Sequence, residues 1–223
     1  MHSPLCGLLY SYFYIKMAKI YNRKERDREL IVWEIDETMN YFLKKLPEDL
    51  QFLPSANEKR NLEWLASRYV LSLLVPETKI SKDQNKKPHL VDDFRYISIS
   101  HTLGYAACMV STLPCGIDIE LDHPRIKKIA AKYNLPDELE LLKKDVSYQK
   151  RLYQIWCAKE AMYKAYGLGG LDFKKELWVE IDALLKDHTT FEGSLIKEGK
   201  ESFFKLNYVH VEDKIHLVFG EML

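Results

Sequence analysis

Three stretches of this chain hold side chains whose types and spacing could do chemistry. The first is Trp156-Cys157-Ala158-Lys159-Glu160-Ala161-Met162-Tyr163-Lys164. At about 100° per residue, an α-helix stacks Trp156, Glu160 and Lys164 along one edge. That edge flanks an apolar stripe through Leu152, Ile155, Trp156, Met162, Tyr163 and Tyr166. Glu160 and Lys164 therefore stand where a packed helix meets a cleft, positions that suit a metal ion and a phosphate. The competing reading is an ordinary i,i+4 pair, worth roughly a few tenths of a kcal/mol. Lys159 falls near the centre of the stripe, where an unpaired ammonium is expensive. It needs an acid, an anionic ligand or a snorkelling route to water.

The second stretch is Cys115-Gly116-Ile117-Asp118-Ile119-Glu120. Strand alternation sends Ile117 and Ile119 to one face and Asp118 and Glu120 to the other. Neighbouring carboxylates repel and raise each other's pKa unless a cation lies between them. Oxygen ligands from one or two carboxylates plus water are what Mg²⁺ accepts; an exposed acidic strand face is the alternative. The third stretch is Ser100-His101-Thr102, at the end of the alternating run Phe94–Ser100. A histidine in a turn is free to meet a ligand, although a lone histidine is more often structural.

The elements that must position these groups follow from pattern. Glu29–Ile35 reads as a strand, and Asp36–Leu46 as a short helix closed by Pro47. Ser55-Ala56-Asn57-Glu58 suggests a capping box. Leu62, Leu65, Ala66, Tyr69, Val70, Leu73 and Leu74 then mark a helix with Arg60 and Arg68 near the stripe's edges, ended by Pro76. These arginines alone read as solvated or snorkelling. Lys86-Lys87-Pro88 is a basic turn. Tyr105–Ser111 makes a hairpin with the preceding strand across Gly104. A short helix carries Arg125, Lys127 and Lys128, and Tyr133–Val146 reads as an irregular, charged connection with one or two helical turns. The Trp156 helix runs from about Tyr148 to Tyr166 and stops at the glycine run from Gly167, which is not a P-loop. Strands are expected near Leu177–Ile181, Glu201–Val211 and Lys214–Phe219. No internal repeat is visible, so any duplication would show only in structure.

Composition narrows the field. The 223 residues hold 33 Lys and Arg against 33 Asp and Glu, so no global field selects nucleic acid or an anionic membrane. Cys6, Cys108, Cys115 and Cys157 show neither C-x-x-C nor metal spacing and read as buried free thiols of a reducing compartment. Met1–Ile15 is apolar and aromatic but lacks a basic n-region and is too short to span a bilayer. The expectation is that Met17 is the natural start, with residues 1–16 an extension or disordered, and that the protein is cytoplasmic.

Ser100-His101-Thr102, Gly116-Ile-Asp-Ile-Glu120 and Trp156-x-x-Lys159-Glu160-x-x-x-Lys164, in this order, resemble the 4'-phosphopantetheinyl transferase superfamily in its surfactin (Sfp-type) branch. The resemblance implies an α+β fold, a pseudo-twofold pair of similar subdomains (17–114 and 115–223), each an antiparallel sheet packed against a long helix, in a monomer. It implies Mg²⁺, with Mn²⁺ as an alternative, held by Asp118, Glu120 and Glu160. Coenzyme A would be met by Lys164 at the pyrophosphate, by His101 and Ser100 at a phosphate-binding turn, by Lys87, and by Arg60 near the 3'-phosphate. The family's glycine before that lysine is replaced here by Lys86, and no basic residue in Leu50–Ala56 supplies its further 3'-phosphate contacts; Arg68 is a candidate substitute. The implied reaction transfers the phosphopantetheine arm to a serine of an apo acyl or peptidyl carrier protein, releasing 3',5'-ADP, with Glu160 as candidate base and Arg125, Lys127 and Lys128 as a candidate carrier patch. An inactive carrier-binding homologue and another Mg²⁺-dependent phosphohydrolase are the alternatives.

Overall fold

The computed structural model describes residues 18–51, 53, 55–77 and 79–223. The expected extension, and Met17 with it, lie outside the described residues. Strands β1 (Lys19–Lys24) and β2 (Arg28–Glu34) are followed by α1 (Met39–Lys45) and the long helix α2 (Glu58–Leu74). A small ribbon, β3 (Ile80–Lys82) with β4 (Pro88–Leu90), leads to the hairpin β5 (Tyr96–Thr102) and β6 (Tyr105–Ser111). Then come β7 (Cys115–Leu121), α3 (Ile126–Ile129), α4 (Pro136–Leu142) and the second long helix, α5 (Tyr148–Tyr166). The chain closes with β8 (Leu177–Val179), α6 (Ile181–Leu185), β9 (Thr190–Lys197), β10 (Lys200–Val211) and β11 (Ile215–Met222).

The strands form two antiparallel sheets, in the orders β1-β2-β6-β5 and β7-β11-β10-β9-β8. A shared topology is embedded in them. In the first, β2 leads to α2 and then to β5 and β6, which lie in the order β2-β6-β5. In the second, β7 leads to α5 and, later, to β10 and β11, in the order β7-β11-β10. Each half thus places its last strand beside its first, with the penultimate strand outside.

Apolar patterning explains the layers. Leu65, Ala66, Val70 and Leu71 of α2 pack with Ile31, Trp33, Ile97 and Cys108 of the first sheet. Leu152, Ile155, Ala158 and Met162 of α5 pack with Phe191, Leu195, Leu206 and Val218 of the second. The opposite sheet faces meet through Leu30, Val32, Ala107 and Met109 against Ile117, Ile119, Leu217 and Phe219. Four layers result, with the helices outermost. Ile117 and Ile119 point between the sheets, as alternation requires, which leaves Asp118 and Glu120 on the α5 side.

The structure adjusts several expectations. Helix α1 begins at Met39, not Asp36. The α2 cap is Asn57, whose Oδ1 accepts from the Arg60 amide at 3.2 Å, while Ser55 Oγ accepts one step earlier from the Asn57 amide. Leu73 is more exposed than its stripe position implies, at 38%. Strands β1 and β9 were not anticipated; β9 pairs with β10 across a turn in which Glu198 and Gly199 both have positive φ. The helical turns expected in the connection are α4, with Pro136 at its start. Cys108, Cys115 and Cys157 are buried free thiols, and burial pushes the first two up to about 12.

Candidate active site

The site forms where α5 crosses β7, and Gly116 permits the crossing. A Cβ at Gly116 would stand 1.8 Å from the carbonyl oxygen of Ala161. No other residue type lets strand and helix backbones approach so closely. Next to Ala161 on α5 is Glu160, and one turn further on is Lys164. The Lys164 ammonium lies 2.7 Å from Asp118 Oδ1 and donates to the Ile117 carbonyl at 2.9 Å. The opposite side of Asp118 is held from the first sheet, where Ser100 Oγ donates to the same oxygen at 2.8 Å. Ser100 Oγ also accepts from the Ile119 amide at 3.3 Å, and Ser98 Oγ accepts from the Ile117 amide at 3.0 Å. β5 and β7 are not ladder partners, yet two serines at strand spacing stitch one to the other.

Asp118 is 5% exposed, and its Oδ2 is buried without a hydrogen-bond partner. Glu120, two residues on, accepts from Trp156 Nε1 at 3.2 Å. Burial, and next the charge of Asp118, push its carboxyl above the usual range. Glu160 is pushed up to about 7, by burial first and then by Asp118, with Lys164 opposing and Glu120 adding to the rise. The three carboxylates therefore share one field. Among the described residues, no three His, Cys, Asp or Glu groups are gathered closely enough to hold a metal ion. One Asp118 oxygen is already occupied by Lys164 and Ser100. The donor set fits a hard divalent cation nonetheless, since it offers oxygen alone, an unpaired buried carboxylate oxygen and mutual repulsion that a cation would relieve.

The basic groups come mainly from the first half. His101 Nδ1 lies 3.2 Å from Glu63 Oε2 on α2. Arg68, also on α2, is 9% exposed, sits 4.2 Å above the Trp64 ring and donates to Ser67 Oγ. It has no carboxylate partner among the described residues, and burial lowers its pKa. Lys87 donates to the Ala165 carbonyl at 2.9 Å, lies against Gly167 and is likewise lowered by burial. A cavity of about 260 Å³ runs between Lys87, Pro88, Ser98, Tyr163 and Lys164. A wider cleft, about 590 Å³, extends from Glu120 and Trp156 past Thr102 and Leu103 to Arg125 and Ile129.

The structure thus joins Asp118 to Lys164 and Ser100 and places Glu120 and Glu160 within electrostatic reach of them, without gathering the three carboxylates into one ligand set among the described residues. Ser100 is buried and committed to Asp118 and to the β7 backbone, so it shapes the acidic centre and is not an open phosphate ligand. Arg60 is exposed on the first turn of α2, whereas the charge felt by His101 is that of Arg68. Lys159 takes neither an acid nor a ligand. It is 1% exposed and caps two loop carbonyls, Tyr133 at 2.6 Å and Phe173 at 2.8 Å. Glu63, and the bond from Trp156 to Glu120, were not anticipated; the i,i+2 pair Ser98 and Ser100 was the one legible sign of a stitched seam.

The two-sheet α+β fold sets acidic groups of β7 and α5 beside basic groups, an arrangement that suits a phosphate-bearing anion. Residues 114–219 match the family model of the 4'-phosphopantetheinyl transferase superfamily. The chain is 27% identical over 144 residues to the 4'-phosphopantetheinyl transferase gsp of Aneurinibacillus migulanus, covering 62% of this chain and 57% of that protein. It is 32% identical over 108 residues to slr0495 of Synechocystis sp., provisionally named a 4'-phosphopantetheinyl transferase, covering 44% of each. The chain spans about half the length of these relatives. No described helix is long and apolar enough to cross a membrane.

Proposed function

We propose that this protein transfers the 4'-phosphopantetheine arm of coenzyme A to a serine of an apo carrier protein, with 3',5'-ADP as leaving group. The observation that carries the reading is the contact of buried Asp118 with half-buried Lys164, with half-buried Glu160 in their field and Ser100 in support from the other sheet. We take residues 17–114 and 115–223 as two subdomains of a Sfp-type monomer, with the substrate across their seam. Asp118, Glu120 and Glu160 would hold Mg²⁺, or Mn²⁺ in its place. When bound, the cation neutralises charge on the diphosphate.

The chain's own groups have separable tasks. Lys164 is near enough to the acidic centre to pass from Asp118 to a diphosphate oxygen. His101 and Arg68 suit the 3'-phosphate, and Lys87 suits the cavity's other end. Phosphoryl transfer asks chiefly for such positioning and charge neutralisation. As the serine oxygen forms its bond to the β-phosphorus, the diphosphate bond breaks and 3',5'-ADP departs. Glu160, directly or through a water it orients, is the candidate to take the serine proton. The cleft from Glu120 to Arg125 leads toward exposed Lys127 and Lys128, where an acidic carrier would be met.

The test is incubation with coenzyme A, Mg²⁺ and a panel of apo carrier proteins, read as a mass gain of one phosphopantetheine per carrier. A mass gain that disappears without Mg²⁺ is expected. Carrier binding without conversion would favour an inactive binding homologue, and phosphate release without a carrier would favour a hydrolase.

A further inference from the structure

The imidazole of His101 stands in an unusual setting. Of the charged groups around it, Arg68 on α2 and Lys164 on α5 both act against its protonation, as does its own burial. Asp118 on β7 is already spoken for by Lys164 and Ser100. Glu63 is the one group recorded as acting the other way, and it does so by direct contact, 3.2 Å from Nδ1. Its side chain is 15% exposed, against 40% for His101. The carboxylate is thus on the sheltered side of the ring and the imidazole's free edge is on the open side.

We propose that Glu63 is a positioning residue for His101: it holds Nδ1, fixes the ring's orientation and opposes the loss of the imidazole's charge, so that Nε2–H is presented to an incoming phosphate. The inference deepens the proposed function, since it rests on an anionic phosphate substrate meeting His101. Its physical logic is compensation. Burial first, and then the two cations beside it, lower the imidazole's hold on its proton, and the carboxylate offsets part of that loss.

Glu63→Gln tests this, because glutamine keeps an acceptor for Nδ1–H and removes only the charge. The His101 Cε1 proton is followed by NMR through a pH titration of the full chain without ligand. The expected midpoint in Glu63→Gln is lower by about one pH unit. Coenzyme A binding is measured in parallel by calorimetry. Affinity should fall several-fold near about pH 6 and converge on that of the unsubstituted chain as the pH drops below both midpoints, where both imidazoles are protonated. Glu63→Ala, checked for an unchanged melting temperature, should show the same shift with a looser ring. An identical His101 midpoint in the native and Glu63→Gln chains would overturn the proposal. A shifted midpoint with no coenzyme A binding to the native chain would uphold the pairing and overturn the substrate reading, so the two failures are distinct.

Discussion

The two halves of the molecule share a strand order and differ in the charge they bring to their common seam. The first half supplies Arg68, His101 and Lys87, all at or near the surface of the cleft and all depressed by burial. The second supplies Asp118, Glu120 and Glu160, with the latter two raised by burial and by mutual repulsion. Lys164 crosses the divide, rooted in the second half but neutralising its acid. Neither set is comfortable alone. A cationic rim and an acidic centre side by side are what a metal-bound diphosphate would reconcile, which is why a repeated scaffold with divergent charge is better suited to this substrate than two equivalent halves.

Removing the second half's contribution should have the largest effect. Asp118→Asn keeps the shape of the carboxylate while deleting its charge, and carrier modification should fall about 100-fold or more. The measurement is single-turnover transfer with coenzyme A in excess. Substantial residual transfer would show that the acidic centre is not where the cation is held. Next in size is the junction itself. Gly116→Ala forces a methyl into the Ala161 carbonyl, so helix and strand must separate. A loss of about 3 kcal/mol is expected by denaturant unfolding, accompanied by reduced transfer because Glu160 and Lys164 ride on the displaced helix.

The halves also differ in their histidines, and here pH separates them. His216 is buried in the second sheet, stacked on Tyr153 and bonded through Nδ1 to the Tyr208 hydroxyl at 2.9 Å. Burial first, and then His210, push it down to about 4. Between that value and an unfolded value of about 6.5, the unfolded chain binds the extra proton, so stability is full above the upper value and is lost as pH falls through the window. The loss is roughly 2–3 kcal/mol. His216→Phe should flatten this limb of a stability-versus-pH series, whereas His101→Phe should leave it in place, because His101 is far less buried.

What was legible in the sequence was whatever depended on local period. Alternation placed Asp118 and Glu120 on one face of β7, and helical spacing placed Glu160 and Lys164 over them. Both readings needed only the residue's own element. The β9 strand failed that test, since Phe191, Gly193 and Leu195 alternate with residues that look like loop, and only pairing with β10 makes the segment a strand. Ser100 was misjudged for a related reason. Its type suits a phosphate, but its partners are Asp118 and the Ile119 amide, reached only when β5 lies against β7. Lys159 shows the same limit: two loop carbonyls more than ten residues away in either direction solve a problem that the helix alone could only pose.

The smallest effect is the sharpest test of the comparison, because it predicts opposite signs for two buried arginines. Arg151 opens α5 in the second half at 2% exposure and is paired with Asp145 at 3.1 Å and Asp187 at 3.0 Å, the latter carboxyl held down to about 2. Among the described residues, Arg68 in the first half has only a hydroxyl and an indole face. An arginine with its acids in place is part of the fold, and removing it strands a half-buried carboxylate. An arginine without them is a cost to the free protein that a bound anion would offset. Arg151→Met should therefore lower stability by about 2 kcal/mol without altering coenzyme A affinity. Arg68→Met, with its side chain still covering Trp64, should raise stability by about 1 kcal/mol while weakening coenzyme A binding at least several-fold. Paired thermal melts and calorimetric titrations read both signs. If Arg68→Met were destabilising and bound coenzyme A normally, Arg68 would be a second structural arginine and the first half's claim to the phosphate would fall to His101 and Lys87.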